Sequence, residues 1–246
     1  MSLRKLYIII FFLALIPRLL IILLFPETGG DYDSYYTVAK NILNGCGVSL
    51  SDPNNSECIA HFGGNHGPGY PFFLSIIWYI FGENNFFVRL IQVTIFILCS
   101  LWLIRATYIF TNKKKVALWV GILLSISPLL IAWPRYIQTE TLSLAFTILV
   151  LAELLLSLSQ NKFRIIGLSL SLILATWIRL DNIFLSIPVA VTSIYIHGFM
   201  RGFLRGFLVA LILSSTWFAW TMRNLVVELP SLIPTDMVIP DGSRPP

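Results

Sequence analysis

Seven long apolar runs constrain this chain more than any other feature. They lie at about Leu6–Phe25, Phe86–Phe110, Val116–Trp133, Thr141–Leu158, Ile165–Ile178, Ile183–Ile196 and Phe203–Met222. Most approach the roughly 20 residues that carry a helix across a bilayer core, and the shorter ones must draw on their flanks. Charged residues make up 12% of the chain, about half the roughly 25% of soluble domains, so little is left for a separate water-soluble domain. The expected fold class is an all-α polytopic membrane protein with about seven transmembrane helices.

An eighth apolar segment, Pro68–Phe81, opens with Pro-Gly-Tyr-Pro and has 14 residues, which suits an interfacial or re-entrant element better than a crossing. Charge supports that reading. With seven crossings and a cytoplasmic N-terminus, nine of the 17 basic residues, the Lys113–Lys115 cluster among them, collect on the cytoplasmic side. All the acids except Glu153 then fall on the outer side. The first run starts with charges like a signal peptide, but its length, its Arg18 and its lack of a small-residue cleavage site make it a retained span. The expected organisation is one seven-span module over residues 1–225, with membrane-parallel helices in a long outer loop at 26–85, and a poorly ordered outer tail at 226–246. The net charge of +5 does not point to nucleic acid, because Lys and Arg sit in loops between the apolar runs. Cys46 and Cys58, with 11 residues between them in the outer loop, are expected to form a disulfide, the alternative being two free thiols in a reducing environment.

The outer loop concentrates the chemistry. After Gly29 and Gly30, the residues Asp31, Tyr35, Ala39 and Leu43 recur at intervals of four, as one stripe of a helix along the membrane surface. A carboxylate at the start of such a helix suits a general base or a metal ligand. It equally suits an N-cap, whether from Asp31 or from Asp33. Further on, His61, His66 and Tyr70 sit among Gly and Pro residues beside the interfacial segment, where a lipid headgroup would pass. The two imidazoles lack zinc-site spacing.

Ionisable residues at membrane depth are more informative, because they are costly there. Arg18 lies seven residues before the end of the first span and needs a partner or must snorkel. Arg135 with Glu140, Arg179 with Asp181, and Arg223 fall at the outer ends of later spans. Interfacial anchoring explains any one of them, but not the gathering of guanidiniums and carboxylates at every outer connection. A lipid phosphate would need such a set, since Arg binds phosphate through paired hydrogen bonds.

These residues also carry a resemblance. Ile16-Pro17-Arg18, the stretch from Gly30-Asp31 through Tyr35 and Ala39 to Gly45, His66-Gly67-Pro68-Gly69-Tyr70-Pro71, Val88-Arg89-Leu90 with Gln92, Ser127-Pro128, Glu140-Thr141-Leu142, Thr176-Trp177-Ile178-Arg179 and Trp220 to Asn224 follow in order. The set resembles the GT-C superfamily of membrane glycosyltransferases. It is most similar to the glycosyltransferase family 39 branch of protein O-mannosyltransferases and aminoarabinose transferases. The resemblance implies transfer of a sugar from a polyprenyl-phosphate carrier to a glycan, lipid or protein acceptor on the outer face of a bacterial or archaeal plasma membrane, with inversion at the anomeric carbon.

Residue by residue, it implies that Asp31 is the general base and Glu140 the second acidic position. Asp31 and Glu140 are also the candidate ligands of a divalent cation, Mg or Mn. Asp33, Tyr35, His66, Tyr70, Arg18, Arg135, Arg179 and Arg223 are the candidate substrate-binding residues. Relatives continue past the seventh span with more helices, so a chain ending at Pro246 reads as truncated. The competing expectation is a catalytically inactive remnant that binds polyprenyl lipid or a partner subunit. A flippase or transporter is more distant, because the mid-span positions here are mostly Leu, Ile, Val and Phe.

Overall fold

The computed structural model describes residues 3–50 and 67–232, with side chains up to Arg223. His61, His66 and Cys58 lie outside the described residues. All regular structure among the described residues is helical.

The first helix, α1 (Leu3–Leu24), runs straight through Pro17 and buries Leu6, Ile10, Ala14, Arg18 and Ile22, one residue per turn. Its other faces expose Ile8, Ile9, Phe12, Ile16 and Leu20, a surface that suits lipid and not water. After a short connection comes α2 (Tyr32–Leu43), which packs on α3 (Gly69–Phe81).

The centre of the bundle is α4 (Asn85–Thr111) packed along α7 (Glu140–Ser159). Asn84 starts α4 by accepting the Phe86 amide on its side chain, and Asn112 ends it in the left-handed region at φ 53°. Between the two helices Ala106, Ala145 and Ala152 are fully buried. Small side chains let helix backbones approach closely where lipid supplies no hydrophobic drive to associate.

Between them in sequence, α5 (Lys114–Ile126) and α6 (Pro128–Ala132) form one span bent by 54°. Pro128 has no N–H to give to the Leu124 carbonyl, which accounts for the break. A 3-10 turn at Trp133–Arg135 then leads back towards α7. The far side of α7 is covered by α8 (Ile165–Ile178), a 3-10 turn at Leu180–Leu185, α9 (Ser186–His197) and α10 (Phe199–Leu232).

Among the described residues five helices are long and apolar enough to cross a membrane, and six if the bent pair counts as one span. The protein is thus an integral membrane protein. The fifth of the expected runs, Ile165–Ile178, folds as a helix of 14 residues. That is about 21 Å at 1.5 Å per residue, short of a core about 30 Å thick. Pro68–Phe81 forms the 13-residue α3. Cys99 is a buried free thiol in α4, whereas Cys46 is disulfide-bonded.

Candidate active site

Two stretches of backbone meet at one end of the α4–α7 pair. Glu27 donates its N–H to the Arg135 carbonyl at 3.1 Å, and Ile137 donates to Thr28 at 3.0 Å. The connection after α1 therefore lies alongside the connection before α7. Gly29, at φ 93°, packs against the end of the Gln138 side chain, and its backbone angle is one that favours glycine. From this joint one chain leaves into α2 and the other into α7, which brings Asp31 and Glu140 to the same place.

Asp31 occupies the N-cap position of α2, yet its side chain makes no capping hydrogen bond. The carboxylate is instead part of the wall of a cleft of about 290 Å³ lined also by Tyr35, Gly67, Thr139, Glu140, Arg179 and Asp181. Tyr35 is hydrogen-bonded to the Thr139 side chain; burial first, and then the nearby Asp31 carboxylate, push its phenol up to about 12. Glu140, the first residue of α7, takes Arg179 Nη1 on Oε1 at 2.9 Å, while Oε2 is buried without a hydrogen-bond partner. Arg179 reaches Asp181 Oδ2 with its other nitrogen at 3.4 Å.

One side of the cleft is formed where the start of α3 packs closely against the end of α8. A Cβ on Gly67 would strike the Trp177 carbonyl oxygen, and one on Gly69 would lie 2.8 Å from the same carbonyl. Beyond this contact an apolar groove of about 320 Å³ runs between α3, α7 and α8, walled by Phe72, Phe73, Ile76, Phe146 and Trp177. Ile178 lines both the cleft and the groove. A third hollow of about 600 Å³ lies on the other side of Phe72 and Trp177, with Arg223 at its rim.

The structure thus brings together four of the residues singled out in the sequence: Asp31, Tyr35, Glu140 and Arg179. It puts the other described ones elsewhere. Asp33 is exposed in the first turn of α2 and is not part of the cleft wall. Tyr70 is fully buried beneath the site, where its hydroxyl accepts from Gln92 Nε2 at 3.0 Å. Arg135 pairs with Glu27 at 3.3 Å and stacks on Tyr136. Arg223 donates to the Val48 carbonyl.

Arg18 is the furthest from its expected role. Fully buried, it donates to the carbonyls of Ala14, Ser125 and Leu124 and lies over the Phe96 ring. Two of those carbonyls belong to the last turn of α5, where the break at Pro128 leaves helix acceptors without their usual donors. Its membrane-depth charge is answered by the negative end of a helix and not by a carboxylate.

Thr139 is a cleft residue that patterning alone passed over, being an ordinary Thr, whereas Asp181 stands out in the sequence beside Arg179 at the outer end of a span, without a role of its own. In the sequence, Arg89 and Gln92 stand out only as part of the Val88-Arg89-Leu90 and Gln92 motif of the resemblance, with no role attached to either. Among the described residues no group of three or more His, Cys, Asp or Glu side chains is assembled that could hold a metal ion. One oxygen of Glu140 is held by Arg179, and the other has no hydrogen-bond partner.

Residues 65–220, more than half of the chain, match the family described as dolichyl-phosphate-mannose-protein mannosyltransferase. Comparison with curated proteins gives no match, and neither does comparison with solved structures. Together with its all-helical membrane architecture, this match shows that the chain belongs to the dolichyl-phosphate-mannose-protein mannosyltransferase family, a GT-C type family of membrane glycosyltransferases.

Proposed function

We propose that the protein transfers a sugar from a polyprenyl-phosphate donor to an acceptor on the outer membrane face, with Asp31 as general base. The observation that carries this reading is the continuity, through Ile178, of a polar cleft holding Asp31, Glu140 and Arg179 with an apolar groove. A donor made of a sugar phosphate on a prenyl chain has that same polarity, one end for each compartment.

In this reading the prenyl chain lies along Phe72, Ile76 and Trp177, and the phosphate comes to Arg179. Asp31 takes the proton from the acceptor hydroxyl as its oxygen attacks the anomeric carbon. The bond from that carbon to the phosphate oxygen breaks, polyprenyl phosphate leaves with the electron pair, and the anomeric configuration inverts. Glu140 holds Arg179 in place from the side away from solvent. The outward orientation rests on the basic residues at Arg4, Lys5, Lys113–Lys115, Arg201 and Arg205, all at the opposite ends of the helices.

The test is transfer of radiolabelled mannose from mannosyl polyprenyl phosphate by the protein in proteoliposomes, with Asp31→Asn and Asp33→Asn beside it. Loss of transfer in the first and retention in the second is expected. No transfer by the parent chain, with tight binding of the same lipid, would replace the enzyme reading with a lipid-binding one.

A further inference from the structure

We infer that Arg89 and Gln92 are positioning residues that hold the two carboxylate-bearing backbone segments of the cleft at a fixed separation. This rests on the reading of Asp31 and Glu140 as the reacting site.

The two side chains lie one turn apart on the same face of α4, and both point at backbone outside their own helix. Arg89 Nε donates to the Arg135 carbonyl at 2.7 Å and Nη2 to the Glu27 carbonyl at 2.8 Å. One guanidinium therefore spans the joint between the segment leading to Asp31 and the segment leading to Glu140. Gln92 Nε2 donates to the Gln138 carbonyl at 3.1 Å, two residues before Glu140, and to the Tyr70 hydroxyl.

Neither residue lines the cleft. Arg89 is only 7% exposed and Gln92 is fully buried, so their polar groups must be repaid inside the protein. The carbonyls of Glu27 and Gln138 belong to irregular backbone and that of Arg135 ends a 3-10 turn, so none of the three has an α-helix ladder to satisfy it. Such backbone near membrane depth is tolerated only where protein groups pair with it.

The planar fork of Arg matters here. Two nitrogens at a fixed angle fix two carbonyls relative to each other, which a Lys ammonium on a flexible stem cannot do. Since α4 packs against α7 and α1, the position of both segments is referred to the helix at the centre of the bundle. Glu140 and Asp31 then approach the acceptor from set directions, as an inverting displacement requires.

The experiment is hydrogen–deuterium exchange of the full chain in lipid nanodiscs, read by mass spectrometry, for Arg89→Met, Arg89→Lys and Gln92→Leu. In Arg89→Met, exchange of the amides in peptides covering residues 27–31 and 135–140 should rise about tenfold, the scale of one lost hydrogen bond. Exchange in α1, α7 and α8 should stay at the parent level. Arg89→Lys should show most of the same rise, and Gln92→Leu should loosen 135–140 alone.

With mannosyl polyprenyl phosphate as donor, kcat should fall in each variant while KM for the donor stays within about twofold, because the donor's groove is untouched. Unchanged exchange at both segments would overturn the inference, as would a rise spread through α4 and α7, which marks general destabilisation. Looser segments with an unchanged kcat would overturn it too. If exchange and kcat behave as expected but Asp31→Asn remains active, the clamp stands and the assignment of the base fails.

Discussion

Arg179 and Glu140, 39 residues apart in sequence, meet through Nη1 and Oε1 at 2.9 Å. The pair joins the end of α8 to the start of α7. Because Arg179 also reaches Asp181, its two nitrogens are held by two acids at the cleft wall, and a phosphate would compete with Asp181, the more exposed partner, before it disturbed Glu140.

Replacing Arg179 by Lys keeps the charge but not the two-pronged geometry. Binding of polyprenyl phosphate to the protein in nanodiscs should weaken about tenfold in Arg179→Lys, the scale of a charge-assisted hydrogen bond partly screened by solvent. Equal affinity in titration against the parent would remove Arg179 from the phosphate site.

Arg18→Met leaves the Leu124 and Ser125 carbonyls short of a donor at the break in the α5–α6 span. Each unpaired buried group costs about 1–3 kcal/mol, so thermal unfolding in detergent should move clearly downward. Adding Pro128→Ala restores an N–H that can reach the Leu124 carbonyl in a straighter helix, and part of the loss should return. A single variant as stable as the parent would show that Arg18 is not what satisfies the break.

At the other end of α7, Glu153 is 5% exposed and accepts from Trp102 Nε1 at 3.0 Å and from Arg164 Nε at 2.7 Å. A Cβ on Gly167 would collide with the same carboxylate. The Arg164 side chain is 34% exposed, so removing it alone costs less than the ~3–5 kcal/mol of a fully buried pair but still strands the Glu153 carboxylate, whereas removing both for apolar residues is often close to neutral. Arg164→Met should therefore be more destabilising than the double variant with Glu153→Leu. The reverse order in denaturation measurements would contradict the picture of a desolvated pair.

Lys40 on α2 pairs with Glu83 beyond α3. Burial raises the Glu83 carboxyl, but hydrogen bonds from Lys40 and Tyr36 outweigh that and leave it below its ordinary value of 4.5. A depressed acid contributes stability that is present above the unfolded value and is lost as pH falls through the lower folded one. Both partners are partly exposed, so the contribution is at most about 1 kcal/mol. Cleavage by an acid-tolerant protease around α2 should accelerate modestly below pH 4.5 in the parent and show less change in Glu83→Gln. The same pH response in both would discount the pair.

The positions of the long helices were legible in the sequence because partition of an apolar run into lipid is a local property that sums along the chain. The runs at Leu6–Phe25, Phe86–Phe110 and Thr141–Leu158 correspond to α1, α4 and α7 within a few residues. Periodicity likewise put Tyr35 and Ala39 on the buried face of α2. The convergence of Asp31, Glu140 and Arg179 was legible only as a gathering of charged residues at span ends. What composition could not show was the break within Val116–Trp133, and that the flanks of the short run Ile165–Ile178 do not extend its helix, since apolar content does not distinguish a straight crossing from a bent or partial one.

The roles of the buried arginines were decided by tertiary structure alone. Arg18 and the Ser125 carbonyl it binds are 107 residues apart, and Arg89 and the Glu27 carbonyl 62. From sequence, a guanidinium at membrane depth asks for an anion, and a lipid phosphate is the obvious candidate. Only the folded chain shows that the demand is met by backbone carbonyls left over at a helix break and at a joint between two loops. Hydrogen-bond partners are chosen by proximity in space, and a linear pattern of residue types carries no record of which carbonyls the fold will leave unpaired.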